Sequence, residues 1–289
     1  MRAIDAHPPI TAVREAVSRA LAEDLTPLGD ITSGLLPPDR TATAAFVPRV
    51  DGVLAGRRCA DETFAQLDAG ILLEWTADDG DDLAAGTAFG VATGPLASIL
   101  TAERTALNFL THLSGIATLT RRFVDTVAAA GAGTRVWDTR KTTPGLRALE
   151  KAAVRAGGGS NHRGNLSDWV LLKDNHLAVL AITDAVAEAR IRWPARIIHV
   201  ECERIEQVEE ALTAGADAVL LDNMDADEVR ACVVLVREAP QRCLVEVSGG
   251  ITLENVHDYA VAGADCISSG ALTASAPNLD IGLDIQIRQ

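Results

Sequence analysis

IIHVECERIEQVEEALTAGADAVLLD, residues 197–222, holds two apolar runs, Ile197-Ile198-His199-Val200 and Ala218-Val219-Leu220-Leu221, on either side of a helix-like stretch. The interval is long enough for one crossover helix, so the segment reads as a βαβ unit with parallel strands. Upstream lie Arg135-Val136-Trp137-Asp138 and Trp169-Val170-Leu171-Leu172. Downstream lie Leu244-Val245-Glu246-Val247 and Asp265-Cys266-Ile267-Ser268. With centres near 136, 171, 199, 220, 246 and 267, the spacings are 35, 28, 21, 26 and 21 residues. The runs are nearly all apolar, as expected of strands covered on both faces. Six such units favour a (β/α) barrel over an open sheet.

Outside these strands the signals change. Thr143-Pro144-Gly145 predicts a hydroxyl N-cap with proline at the first helical position, and the helix then runs to the Gly157-Gly158-Gly159 stop. A second helix is expected to open at Thr252, directly after a glycine pair. The first 95 or so residues read as α+β. An amphipathic segment (Ile10, Val13, Val17, Leu21) precedes short strands around Ala44–Val47 and Gly52–Ala55, punctuated by Pro and Gly. A long helix from about Leu96 to Thr118 joins the two parts, and the alternating tail from Leu279 to Ile285 is expected to return to the first as a strand. The expected domains are 1–110 with the tail 276–289, and 111–275.

Composition narrows the function. Only 10 of 289 residues are aromatic, against a nucleic-acid binder built on stacking platforms. The net charge of −14 repels polyanions and anionic membrane surfaces. No stretch approaches 18 consecutive apolar residues, and MRAIDAHPPI lacks the apolar core of a signal peptide. Five cysteines without a CxxC pair fit reduced thiols. A soluble, cytoplasmic protein that binds neither nucleic acid nor membrane is therefore expected.

Against this anionic body, residues 135–176 carry eight Lys and Arg and four Asp and Glu, a net +4 that leaves −14 − 4 = −18 on the rest. Arg147, Lys151 and Arg155, spaced i, i+4, i+8, read as a solvated helix face. The others sit differently. Arg140 and Lys141 follow the first strand at its C-terminal end, Lys173 and His176 follow the second, and His162 and Arg163 lead into it. In (β/α) barrels the C-terminal strand ends form the active-site face. Cations converging there call for an anionic ligand, carboxylate or phosphate. Glu201 and Asp222 end the third and fourth strands, with ribose hydroxyls, a Mg²⁺-bound group or a developing positive charge as their target. Ser248-Gly249-Gly250 and Ser268-Ser269-Gly270-Ala271 end the last two, where barrel phosphate sites commonly lie. Together these describe a mouth for a phosphorylated sugar joined to a multiply anionic partner.

The chain resembles the quinolinate phosphoribosyltransferases, type II phosphoribosyltransferases of NAD biosynthesis, over almost its whole length. The resemblance is carried by Thr101-Ala102-Glu103-Arg104 running to Ser114-Gly115-Ile116, Asp138-Thr139-Arg140-Lys141-Thr142, Ser160-Asn161-His162-Arg163 and Leu172-Lys173-Asp174-Asn175-His176. It continues through Val200-Glu201, Leu221-Asp222-Asn223, Ser248-Gly249-Gly250-Ile251 and Gly270-Ala271-Leu272-Thr273. It implies an α/β sandwich at the N-terminus and an incomplete barrel of about six to seven parallel strands. It also implies homodimers in which one subunit completes its neighbour's site. The implied reaction joins quinolinate to phosphoribosyl pyrophosphate, with Mg²⁺, giving nicotinate mononucleotide, pyrophosphate and CO₂.

By motif, Arg140, His162, Arg163 and Lys173 would hold the two quinolinate carboxylates, with Thr139 beside them and Arg104 entering from the partner subunit. Lys141, Glu201 and Asp222 would face the phosphoribosyl pyrophosphate, the two carboxylates serving any Mg²⁺, and Lys141, Lys173, Glu201 and Asp222 are the expected catalytic set. Ser248, Gly249 and Gly250 with Ser269, Gly270 and Ala271 would bind the 5′-phosphate. Two positions depart from the family's usual pattern: Gly164, where a bulky apolar residue commonly follows the His-Arg pair, and Ala274-Ser275, where His-Ser is frequent. Rival readings keep the fold and change the ligand, as in the paralogues associated with molybdenum transport, or make the chain a non-catalytic phosphometabolite binder.

Overall fold

A computed structural model describes residues 6–131 and 133–288. The chain begins with α1 (Ile10–Leu25), β1 (Thr41–Pro48), β2 (Gly52–Val53), α2 (Arg57–Leu67), β3 (Leu72–Trp75) and β4 (Asp82–Leu83). Then come β5 (Gly90–Pro95), α3 (Leu96–Ala129), β6 (Arg135–Trp137), α4 (Arg147–Ala156), β7 (Val170–Leu172), α5 (Asp174–Leu177) and α6 (Ile182–Arg192). It continues with β8 (Ile198–Cys202), α7 (Ile205–Ala214), β9 (Ala218–Asp222), α8 (Ala226–Glu238), β10 (Leu244–Ser248) and α9 (Val256–Val261). The last elements are β11 (Cys266–Ser268), α10 (Ala271–Ala274) and β12 (Ile281–Arg288). No helix among the described residues is long and apolar enough to cross a membrane. All five cysteines are free thiols and buried.

The chain divides into two compact units. The first takes residues 1–121, 142–158 and 272–289. Its main sheet is antiparallel in the order β12-β1-β5-β3, so the tail strand lies along β1, from Thr41 opposite Arg288 to Pro48 opposite Ile281. Alternation along β1 sends Ala42, Ala44 and Phe46 into an apolar core with Phe64, Phe89 and Ile99. Phe46 and Trp75 stack there with centroids 4.9 Å apart.

Within this unit α4 differs from its expected form. It begins at Arg147, not at Pro144, because Gly145 adopts a left-handed φ of +80° that a helix cannot continue through. The Thr143 N–H is taken by Glu150 Oε2 at 3.1 Å instead. Its cationic stripe is also not a solvated face, since Lys151 is 6% exposed and the Arg155 guanidinium donates to the carbonyls of His7 and Lys151.

The second unit, residues 122–141 and 159–271, holds a six-stranded parallel sheet in the order β6-β11-β10-β9-β8-β7. Chain-adjacent β6 and β7 are the two edges, so the sheet curls toward closure without completing it. The gap is dressed by other groups. Residue Ser160 runs parallel beside Trp137 of β6, and the Trp137 and Trp169 rings meet at 6.4 Å between centroids. The helix expected at Thr252 starts at Val256 and has six residues, the intervening segment being a turn closed by Thr252 N–H to Asn255 Oδ1.

Candidate active site

Strand pleating decides which side chains meet at the C-terminal ends of the sheet. Residues two apart share a face. Leu171 with Lys173, Leu220 with Asp222, and Glu246 with Ser248 all turn toward one cavity of about 480 Å³, joined by Glu201 of β8 and Ser268 of β11. The cations come from the open side of the sheet: Arg140 and Lys141 after β6, His162 and Arg163 in the segment beside it, Lys173 after β7. Four carboxylates answer them, three on β8, β9 and β10, with Asp174 after β7. The mouth is therefore polarised and balanced, four formal positive charges against four negative. The net-cationic window seen along the chain is offset by acids contributed by later strands.

The segments that carry these cations are braced. Asp138, fully buried at the end of β6, accepts the His162 N–H at 2.8 Å and the Asn161 amide at 2.6 Å, which fixes the His162-Arg163 segment. Arg163 is 7% exposed; burial, and then the neighbouring Arg140 guanidinium, depress its pKa. Two guanidinium groups in so dry a place favour an anion between them. Lys173 closes on Glu201 as an ion pair, while its N–H donates to His176 Nδ1 at 3.0 Å. His176 is exposed and outside the cavity lining; it shapes the Lys173 turn. The Thr139 hydroxyl accepts the Lys141 N–H at 3.0 Å.

Asp222 has its carboxyl pushed up by burial and by Glu201, with Lys173 and Lys141 only partly opposing. A cation bound between Glu201 and Asp222 would relieve that strain, so the pair suits Mg²⁺ carried in with phosphate ligands. Two other groupings bring three potential ligand atoms within 4.8 Å of one another: His162, His199 and Glu246 in the second unit, and His7, Asp78 and Asp79 in the first. In the latter Asp79 already accepts the N–H groups of Gly56 and Arg57 at the start of α2.

Ten expected residues line the cavity: Thr139, Arg140, Lys141, His162, Arg163, Lys173, Glu201, Asp222, Ser248 and Gly249. Gly250 is exposed just beyond it. Ser269 is buried with its hydroxyl donated to the Ile251 carbonyl at 3.2 Å and accepting the Ala271 N–H at 3.3 Å. Gly270 lies under the stem of Lys141, where a Cβ would come within 2.7 Å of the lysine Cδ. Arg104 is exposed on α3 in the first unit and does not line the cavity. Glu246 and His199 were not among the expected residues. Each stands two positions before one that was, Ser248 and Glu201, and period-two alternation carried the signal.

Residues 30–114 match the N-terminal domain, and residues 116–284 the C-terminal domain, of quinolinate phosphoribosyl transferase. The chain is 41% identical to the nicotinate-nucleotide pyrophosphorylase (carboxylating) of Mycobacterium leprae, across 95% of this chain and 97% of that one. It is also 41% identical to a probable enzyme of the same name from Bacillus subtilis, across 90% and 89%. The solved nicotinate-nucleotide pyrophosphorylase of Francisella tularensis superposes with a TM-score of 0.92 at 36% identity, covering 97% of this chain and 98% of that one. With both domains matched and the fold shared along nearly its full length, the chain belongs to the quinolinate phosphoribosyl transferase family.

Proposed function

We propose that this protein transfers the phosphoribosyl group of phosphoribosyl pyrophosphate to quinolinate and releases pyrophosphate and CO₂, giving nicotinate mononucleotide. The observation that carries this reading is the polarised cavity, with its guanidinium and ammonium groups on the β6 and β7 side and Glu201 and Asp222 facing them from β8 and β9. A pyridine dicarboxylate suits the first half and a ribosyl cation in formation suits the second.

Arg140, His162, Arg163 and Lys173 hold the two carboxylates and aim the ring nitrogen at C1 of the sugar. Lys141 faces the pyrophosphate. Ser248 to Gly250, with the 269–271 turn, receive the 5′-phosphate. As the C1–oxygen bond breaks, Glu201 and Asp222 stabilise the oxocarbenium character at C1, and the nitrogen lone pair closes the new N–C1 bond. Mg²⁺, held by Glu201 and Asp222 together with the substrate's phosphates, would take up charge on the departing pyrophosphate. The ribosylated nitrogen is cationic, so the bond to the adjacent carboxylate can break with its electron pair left on that ring carbon, stabilised by the neighbouring positive nitrogen. CO₂ leaves and a proton takes its place. The chain's contribution to that step is orientation and exclusion of water.

The test is purified protein with Mg²⁺, phosphoribosyl pyrophosphate and quinolinate, followed for CO₂ and nicotinate mononucleotide. Turnover of another aromatic acid in place of quinolinate would move the protein to a paralogous specificity, and binding without turnover would make it a phosphometabolite binder.

Arg104 belongs, in this reading, to the cavity of a second copy, making the working unit a homodimer with shared sites. Arg104→Ala and Asp222→Asn should each be nearly inactive alone, and mixing and refolding them should restore activity in the heterodimers that carry one intact site. No recovery on mixing would confine each site to one chain.

A further inference from the structure

Beneath the cavity floor, His162 meets two buried residues, Glu246 and His199, to which the proposed reaction gives no role. Glu246, in the middle of β10, is 1% exposed, and His199, in β8, is 3% exposed. The Oε2 atom of Glu246 lies 3.2 Å from Nε2 of His162 and 3.5 Å from Nε2 of His199. Two imidazoles from different parts of the chain thus converge on one carboxylate oxygen. The His162 ring is also boxed edge-on by indoles, with centroids 4.8 Å from Trp169 and 5.6 Å from Trp137. Glu246 reaches the cavity wall itself, so the cluster is continuous with the ligand space.

The fold alone does not ask for this arrangement. Burying a carboxylate costs several kcal/mol, and an apolar trio of similar volume often holds an interior as well or better. The groups that face the carboxylate and offset that cost are His162, His199 and Ser268. The flanking residues Val245 and Val247 are fully buried and apolar, so the strand tolerates hydrophobic side chains on either side of the acid. What the carboxylate does accomplish is to engage one nitrogen of a ring that lines the cavity.

We infer that Glu246 and His199 are positioning residues for the diacid end of the site: Glu246 fixes the imidazole of His162 by its Nε2, and His199 seats the Glu246 carboxylate from β8. Charge agrees with the geometry. Burial pushes the Glu246 carboxyl up, but the facing imidazoles outweigh it and its pKa lies below the ordinary value. The Glu246 carboxylate also acts on the guanidinium of Arg163, partly opposing the depression of its pKa.

This inference rests on the proposed reaction, and its test separates the two. Steady-state kinetics of the full-length protein are measured for wild type, Glu246→Gln, Glu246→Asp and His199→Gln, with thermal midpoints alongside. Glu246→Gln is expected to raise the KM for quinolinate about tenfold or more, roughly 1.4 kcal/mol or above, while the KM for phosphoribosyl pyrophosphate stays within about twofold. Glu246→Asp, which keeps the carboxylate on a shorter stem, should recover part of the loss. His199→Gln should shift the same constant by less. Should Glu246→Gln fail to fold, His199→Gln decides, since it leaves Glu246 with His162. An unchanged quinolinate KM in a folded variant, or equal losses for both substrates that track a lowered midpoint, would overturn the inference. A wild-type protein that does not turn over quinolinate overturns the proposed reaction instead.

Discussion

The sheets of the two units cover different kinds of interior. Under the antiparallel sheet of the first, Phe46, Phe64, Phe89 and Ile99 pack with alanines and leucines into an apolar cluster, and the unit's buried charges, Glu150 and Lys151, sit on α4. In and beyond the strands of the parallel sheet, Asp138, His162, Arg163, His199, Glu201 and Glu246 are all buried. The first gains stability from apolar area removed from water. The second gives stability away, because buried charges rarely repay their desolvation. A chain that carries both places its binding chemistry where its packing is least favourable, and leans on its other regions to remain folded.

The largest effect expected from this contrast is in the first interior. Phe46→Ala removes a fully buried ring stacked on Trp75 and should cost about 3–5 kcal/mol of unfolding free energy by denaturant titration. The folded fraction should keep its substrate KM values. A change in KM larger than the loss of folded protein would show that the two interiors are not separable. Asp222→Asn should act in reverse. Turnover should fall about 10²–10³-fold, the magnitude typical of losing one preorganised electrostatic contact to a transition state. The thermal midpoint at pH 7 should rise, because burial and Glu201 raise the Asp222 pKa above its unfolded value. The sign follows from linkage: above the folded pKa the ionised carboxylate carries its full penalty, and below the unfolded pKa both states are protonated and the penalty is gone. The gain in midpoint should therefore fade as pH falls through the carboxylate range. A lower midpoint at neutral pH would mean that Asp222 supports the fold.

Much of this was legible in the residues, and the exceptions share a cause. The six apolar runs lie on β6 to β11 within one or two residues at each end, because covered parallel strands need continuous apolar stretches. That same expectation hid His199 and Glu246. A run read as covered on both faces leaves no inward side for a charge, although pleating pairs Glu246 with Ser248 and His199 with Glu201. Balance in the cavity was equally invisible along the chain, since Lys173 meets Glu201 only by strand adjacency, 28 residues apart in sequence. Lys151 and Arg155 kept a helical spacing but lost their solvent, because periodicity reports which residues share a face and says nothing of what covers it. At α4 the Thr-Pro start signal yielded to Gly145, whose left-handed backbone moved the helix start to Arg147.

Arg163→Lys sharpens the comparison on the charged side. The charge is kept, but the planar fork that grips a carboxylate with two parallel bonds is lost. Quinolinate affinity by calorimetry should fall about tenfold, the cost of one good charge-assisted hydrogen bond, with phosphoribosyl pyrophosphate affinity unaffected. An equal loss for both ligands would place Arg163 between them.

The smallest effect is expected where the loop leaves the cavity. Gly164 donates its N–H to Asp168 Oδ2 at 2.6 Å, and that bond holds the Asp168 carboxyl below its usual pKa. The glycine is not there for backbone freedom, as its φ lies outside the left-handed region, nor for space, since a Cβ would meet only Asp168 Oδ2 at an ordinary 3.5 Å. Gly164→Ala should therefore leave the fold intact and keep the quinolinate KM within about twofold, if the loop's shape comes from the Asp168 bond. Asp168→Ala, which removes the acceptor, should raise that KM by more than the glycine change does. The reverse order, with Gly164→Ala the more damaging, would mean that a bare backbone at this position faces the ligand. The contrast between the two interiors would then extend to the rim, where absence of a side chain would matter as much as the charges behind it.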